Sequence, residues 1–444
     1  MLNLNEQQQK IFNKYIAGEN IFITGPGGTG KTHLIKAIVT HAKENNKAYK
    51  VCALTGCAAI LLQCGASTLH AFAGIGLATG TINQVVDRVV KNRHKKPNWQ
   101  KTDILIVDEV SMLSLKLFTI LDLIAKKIKK QRTTPFGGIQ IIFAGDFYQL
   151  PPVGDEEEPE TQAFCFETPL WNETFPLKNQ IELQTIFRQT DDKYAKILNK
   201  LRIGKITNWA IATLEACVGK ESNGEVFPTI LLPRRRDADA LNSREIALLD
   251  KETEKCYKIK QVPEEELPLS REQLQNLSLF TEKERELETQ YLIDNIMAEK
   301  EIKLRKGAVV MCIANLNVES HRPIINGSQG VVIDYVDGYP QVKFAEDIIE
   351  VIGPHTWSSE RIAGIAVKQI PLIYAWAVTI HKAQGLTLER ALIDIGGNIF
   401  ECGQTYVALS RVKTIEGIYL KSYDVSKIKT KKCVKDYYNS LYKL

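Results

Sequence analysis

The sequence lacks any Cys-x-x-Cys pair: its nine cysteines are scattered from Cys52 to Cys433, with no short Cys/His spacing that would suit zinc. That excludes a zinc module and leaves the expectation of a reduced protein with buried thiols. Nor does any apolar run approach a membrane span. The first ten residues, Met1 to Lys10, contain no apolar signal core, and the first arginine of the chain is Arg88, which argues against an Arg-rich presequence. A soluble intracellular protein without a membrane partner is expected, in nucleus or cytoplasm according to its source. Internal repeats and low-complexity tracts are missing as well.

What is present is enough chain for about two to four compact units, 44% hydrophobic and 25% charged over 444 residues. A formal charge of +5 permits a nucleic-acid partner without demanding one. The distribution says more than the total, because basic residues gather at Lys91 to Lys101, Lys126 to Arg132 and Lys427 to Lys435. Each cluster can meet a phosphate backbone or simply form a solvated face.

From residue 20 to residue 150 short apolar runs alternate with helical stretches. Asn20 to Thr24, Lys50 to Thr55, Asp103 to Val107 and Gln140 to Ala144 read as strands buried on both faces, hence an α/β fold with a parallel sheet covered by helices. In such sheets ligands bind beyond the carboxyl ends of the strands, so the residues after each run hold the chemistry. A second α/β region follows Pro176. It is interrupted from Thr253 to Leu304 by a charged helix-forming segment, an insertion or flexible arm. Residues 305–370 alternate apolar and polar around Asn326-Gly327 and Asp337-Gly338, which predicts a small antiparallel β module. From Leu372 the buried-strand pattern returns.

Gly25, Pro26, Gly27, Gly28, Thr29, Gly30, Lys31 and Thr32 fit the phosphate-loop pattern, directly after one predicted strand and before a predicted helix. Glycines let backbone N–H groups close on phosphates, and the helix amino terminus adds partial positive charge. Lys31 is expected on the β- and γ-phosphates of ATP and Thr32 on Mg2+. Asp108 and Glu109 follow the buried run that starts at Asp103: Asp108 suits the metal, and Glu109 suits orienting or deprotonating the attacking water. Gln149, at a third strand exit, is a neutral amide able to sense the γ-phosphate.

These residues resemble a known family, the petite integration frequency (PIF) helicases of superfamily one, related to RecD and to phage Dda. The likeness begins at Leu4, Asn5 and Gln8, similar to the family's adenine-reading glutamine motif. It runs through the phosphate loop, Thr55 to Ala59, Thr68 to Gly76, Asp108 to Met112, and Pro135 to Gln140 leading into Gly145 to Val153. Later it takes in Ile186 to Gln189, Lys306 to Met311, Ile325 to Val331, Ile380 to Thr387 and Gln404 to Arg411. Against the family, whose eukaryotic members often carry a long terminal extension, the sequence reads as an expected bare motor core.

The resemblance implies two RecA-like domains plus an inserted β module. The first domain covers 1–180, with 77–99 as a wedge insertion. The second covers 181–304, including the charged segment 253–304, and resumes at 371–444 after an SH3-like module at 305–370. It also implies an ATP-dependent DNA helicase running 5′ to 3′, a monomeric motor serving DNA repair, recombination, replication or telomere maintenance. Arg188 and Arg411 would stabilise the transferred phosphoryl, and Gly385 would face the nucleotide. Single-stranded and tailed duplex DNA would meet Thr55, Gly56, Thr68, His70, Phe72, His381, Lys382, Gln384, Thr387, Gln404, Tyr406 and Ser410. Hydroxyls, amides and glycine backbone hold phosphates without reading sequence, and Phe72 can stack on a base. Taken singly, each of these side chains suits a packed loop equally well.

Two other classes use the same ATP site: a translocase or remodeller without strand separation, and a DNA-bound scaffold with a regulatory ATP switch. The intact set Lys31, Asp108, Glu109, Gln149, Arg188 and Arg411 argues against the scaffold. No further acidic metal cluster supports a nuclease.

Overall fold

The computed structural model describes residues 4–441 except 63, 77, 94, 190, 222–227, 317–323, 345–347 and 360–361; at 57, 60, 272 and 276 the backbone alone is described. The chain divides into two compact units. Unit 1 is Met1–Ile206, Glu401–Tyr406 and Ile428–Leu444, and unit 2 is Thr207–Phe400 and Val407–Lys427.

Unit 1 is built on a six-stranded parallel sheet, in spatial order Ser67–Thr68, Tyr49–Ala53, Ile104–Asp108, Gln140–Ala144, Ile21–Thr24 and Gln180–Glu182. The apolar runs are strands because both of their faces are covered. Ile21, Ile23, Ile104 and Ile106 pack with Leu34, Ile35 and Ile38 of the helix Lys31–Glu44 on one side. Phe22, Leu105 and Val107 pack with Phe118, Leu121 and Ile124 of the helix Leu115–Lys129 on the other. That alternation is the period-two geometry of a strand between two helical layers.

Unit 2 carries a four-stranded parallel sheet, in order Ala377–Thr379, Thr229–Leu232, Ala391–Ile395 and Ile418–Tyr423. An open five-stranded antiparallel sheet, Ile349–Val351, Tyr339–Phe344, Gln329–Val336, Val309–Cys312 and Leu372–Tyr374, lies largely in the stretch expected as a β module but takes in a strand beyond residue 370, while His355–Ser358 and Ala366–Gln369 pair in a separate sheet with Lys260–Gln261. Its tightest hairpin turns at Asp337 and Gly338, both at positive φ, the backbone that a two-residue type I′ connection requires.

Three expectations change. The first domain does not stop at 180. Strand Gln180–Glu182 completes its sheet beside Ile21–Thr24, and Arg202 is ion-paired to Asp146 within the same unit. The C-terminal helix Lys432–Ser440 also belongs to unit 1, where Val434, Tyr438 and Leu441 join the aromatic core. The segment 253–304 is more than a charged helical arm: Lys255–Lys258 pairs with Glu301–Leu304, Lys260–Gln261 joins a three-stranded sheet, and helices Arg271–Ser278 and Glu282–Asn295 lie between. Within 77–99, of which Leu77 and His94 lie outside the described residues, helix Ile82–Lys91 buries Val85, Val86 and Val89, and Trp99 is fully buried.

Candidate functional site

The phosphate loop leaves the buried strand Ile21–Thr24 and enters the helix Lys31–Glu44. Gly28 sits at φ 86°, and a Cβ there would meet the Arg188 Cβ at 2.4 Å, so only glycine fits. The Lys31 ammonium donates to the carbonyls of Gly25 at 2.7 Å and Pro26 at 3.0 Å. Burial lowers its pKa, and the negative charges of Asp146, Glu109 and Asp108 oppose that shift. A cation folded onto its own loop and desolvated among carboxylates is suited to take up anionic phosphate.

Thr32 and Asp108 converge, the hydroxyl lying 3.4 Å from Asp108 Oδ2. Asp108 is buried, and its pKa is pushed up to about 7 by burial first and by the adjacent Glu109 second. Its other oxygen accepts the Glu109 N–H at 2.8 Å. Glu109 itself adopts a left-handed backbone, φ 57° and ψ 40°, at the strand exit. For a non-glycine residue this is an uncommon geometry. The donor set is oxygen only, a hydroxyl and one carboxylate. That fits a hard cation which keeps most of its shell for water and phosphate, as Mg2+ does. Among the described residues no group of three or more His, Cys, Asp or Glu forms a protein cage for a metal.

On the other side of the loop, Gln8 is buried and capped into the first helix, and its Nε2 donates to the Gly30 carbonyl at 3.4 Å. With Leu4, Asn5, Gly30, His33 and Phe187 it lines a cavity of about 440 Å3. A cavity at the helix start, with one amide and an aromatic ring, suits a planar heterocycle. Phe187 is a functional candidate that the sequence reading passed over. Its N–H donates to the Gly28 carbonyl at 2.8 Å while its ring stays 56% exposed, open to stack on a base. The signal was its place beside Arg188. Arg188 lies against Gly28, and burial lowers its pKa against the pull of Tyr406 and Glu109.

The third strand exit holds a buried polar network. Arg202 grips Asp146 with two bonds, 2.9 and 3.0 Å, and reaches Glu182 at 2.7 Å. Its guanidinium lies over the rings of Tyr148 and Tyr438, 4.7 and 4.9 Å from their centroids. The Tyr438 hydroxyl donates to Asp146 at 3.1 Å, accepts the Phe147 N–H at 3.1 Å and meets the Thr24 hydroxyl at 2.5 Å. Gln149 is buried here, its N–H bonded to the Asp146 carbonyl. None of Arg202, Asp146 or Tyr438 stood out as a site residue, since nothing in the chain marks residues that far apart as partners.

The structure sorts the expected DNA contacts. Thr55 is exposed, Gly56 half-buried, and Thr68 caps the short helix Leu69–Ala73. His70 is half-buried, its pKa lowered by burial. Phe72 is 4% exposed and packed on Trp99 at 5.0 Å, so the ring belongs to the core and is not presented for stacking. Gln404 is fully buried, accepting the Glu401 N–H. Tyr406 is also buried, and its hydroxyl is engaged at the phosphate loop, accepting the Gly27 N–H at 3.0 Å. In unit 2, His381 and Gly385 are exposed and Lys382, Gln384 and Thr387 half-buried, with Lys382 3.6 Å from Glu299. Ser410 and Arg411 are buried there; Arg411 donates to the Val407 carbonyl and to the Ser410 hydroxyl.

Unit 1 thus gathers Gln8, Gly25 to Thr32, Asp108, Glu109, Gln149, Arg188 and Tyr406. Unit 2 carries His381, Lys382, Gln384, Gly385, Thr387, Ser410 and Arg411. A family model described as PIF1-like helicase matches residues 3–215. The chain is 33% identical over 452 residues to the ATP-dependent DNA helicase PIF1 of Xenopus laevis, covering all of this chain and 65% of that protein. It therefore spans just under two thirds of that relative's length. A crystal structure of Pif1 helicase from Candida albicans is 31% identical with a TM-score of 0.73, each chain covered in full. Bacteroides sp Pif1 in complex with ADP-AlF4 is 27% identical with a TM-score of 0.78, covering 99% of this chain and 97% of that one.

Proposed function

The chain belongs to the PIF1-like helicase family, and we propose that it is an ATP-dependent DNA helicase, an ATP hydrolase that moves 5′ to 3′ along single-stranded DNA and unwinds tailed duplex. The observation that carries this reading is the convergence, in one unit, of a phosphate loop, the Thr32–Asp108 pair, Glu109 and a cavity lined by Gln8 and Phe187.

In this reading the base enters the cavity, with Gln8 offering its amide and Phe187 its ring face. The loop amides and Lys31 hold the phosphates. Thr32 and Asp108 hold Mg2+, which when bound neutralises phosphate charge. Glu109 orients and deprotonates the attacking water, Gln149 answers to the γ-phosphate, and Arg188 stabilises the charge that develops on the transferred phosphoryl. The parts of Arg411 and Gly385, both on unit 2, rest on the family resemblance. So do the DNA contacts at Thr55, Gly56, Thr68 and His70 in unit 1 and at His381, Lys382, Gln384, Thr387 and Ser410 in unit 2. Polarity, a monomeric motor, and service in DNA repair, recombination or telomere maintenance come from the same resemblance. No helix among the described residues is long and apolar enough to cross a membrane.

The test compares forked, 5′-tailed and 3′-tailed duplexes with ATP and Mg2+, in the intact chain and in Lys31→Ala. Unwinding that needs a 5′ tail, with hydrolysis abolished but single-strand binding retained in Lys31→Ala, is the expected result. Unwinding of the 3′-tailed duplex alone would refute the polarity, and near-normal turnover in Lys31→Ala would sink the motor.

A further inference from the structure

We propose that Tyr406 is a positioning residue of the phosphate loop, tying Gly27 to the buried Asp146–Arg202 pair through its hydroxyl. The inference rests on the ATPase reading for its kinetic consequence, though not for its geometry.

The hydroxyl is used in both directions. It accepts the Gly27 N–H at 3.0 Å and donates to Asp146 Oδ2 at 3.5 Å. The far end of this relay is well held: Asp146 is fully buried, with two bonds from Arg202 and one from Tyr438. Arg202 is in turn fixed by Glu182 and two aromatic rings. A loop amide is thereby tied, through one oxygen, to a buried carboxylate held by several bonds.

Gly27 is the place where such a tether matters. Gly25 and Pro26 bear the carbonyls that receive the Lys31 ammonium, so Gly27 follows directly on the stretch where that ammonium lies. Lys31 serves the β- and γ-phosphates in loops of this pattern. Glycine has no side chain to fix its own backbone, and its conformational freedom must be removed by something else if the amides are to converge on phosphate. At the next residue, the Phe187 N–H holds the Gly28 carbonyl at 2.8 Å. The loop is thus pinned at two successive residues, by Phe187 and by Tyr406.

Tyr406→Phe deletes the oxygen and keeps the ring. Two measurements on the full chain decide the matter: hydrogen exchange of the Gly25–Gly30 amides in the nucleotide-free protein, and kcat and KM for DNA-stimulated ATP hydrolysis. Tyr438→Phe is the control, because it takes another hydroxyl from Asp146 without touching Gly27. The expected result for Tyr406→Phe is faster exchange in the loop and a kcat lowered about 3- to 10-fold, the worth of one neutral hydrogen bond, with KM within about twofold. Tyr438→Phe should leave loop exchange slower than Tyr406→Phe does. Unchanged exchange, unchanged kcat, or equal effects from the two variants would overturn the proposal. An intact chain with no turnover would instead sink the ATPase reading, and the exchange comparison would still decide whether Tyr406 holds the loop.

Discussion

Replacing Arg202 by alanine removes a guanidinium that is 6% exposed and leaves the fully buried Asp146 without its cation. The side chain makes three charged hydrogen bonds, two to Asp146 and one to Glu182, and packs over Tyr148 and Tyr438. Breaking a buried pair from one side costs about 3–5 kcal/mol, because the remaining carboxylate keeps its desolvation penalty and loses its compensation. Losing the two ring contacts adds to this. Arg202→Lys keeps the charge but cannot make the two-pronged contact, so it should fall between wild type and alanine. The double variant Asp146→Asn with Arg202→Met removes both charges and should recover part of the loss. Native-state hydrogen exchange of the strand Gln140–Ala144 reads the opening free energy of unit 1 directly. A loss below about 1 kcal/mol in Arg202→Ala, or a double variant worse than the sum of its singles, would refute the claim that this pair is a desolvated structural anchor.

Two further outcomes follow from the same geometry. Glu109→Gln should still bind ATP but turn it over about a hundredfold or more slower; unchanged turnover with weakened nucleotide binding, measured in the same titration, would reverse the role given to Glu109. Asp108→Asn tests the raised pKa. With the folded value near 7 against the ordinary 3.8, the folded state holds the proton longer, so metal-free stability declines as pH rises from about 4 to 7. The asparagine variant should therefore gain stability over wild type at pH 8 and little at pH 4, read as thermal melting without Mg2+. An equal gain at both pH values would remove the charge argument.

The sequence was most legible where chemistry and strand ends coincide. The runs ending at Thr24, Asp108 and Ala144 are strands, and the loop and carboxylates follow them as the buried-strand pattern demands. Gln8 was placed by family likeness, and the capping box with Asn5 gives it a physical reason. Phe72 and Tyr406 show the limit. An aromatic on a short helix and a tyrosine in a motif carry no mark of which way they point. The first is packed on Trp99 and the second turned to Gly27. The domain boundary at 180 failed for a related reason. Composition does not shift between residues 180 and 206, and only pairing with Ile21–Thr24 and Asp146 assigns that stretch to unit 1.

Tyr438 carries that lesson to the chemistry. Its hydroxyl meets the side chain of Thr24, the last residue before the phosphate loop, across 414 residues of chain, and it also takes the Phe147 N–H and Asp146. Two of the three strand exits that build the nucleotide site are therefore finished by one residue of the helix Lys432–Ser440. A separation of that length is cheap at equilibrium, since loop-closure entropy grows only with the logarithm of length, about 0.6 kcal/mol per doubling. The helix repays it by burial: Tyr437 stacks on Phe166 at 4.3 Å and receives the Trp171 indole N–H, while Tyr438 stacks on Tyr148 at 4.5 Å. Those contacts are made with the same core that backs the strands, so the helix and the Thr24 and Asp146 exits rest on one packed core. The unit 1 share of the proposed nucleotide site thus draws on all three segments of that unit. A fragment ending near residue 206 would retain every phosphate-loop residue while leaving Asp146 and Thr24 short of Tyr438 and Gly27 short of Tyr406.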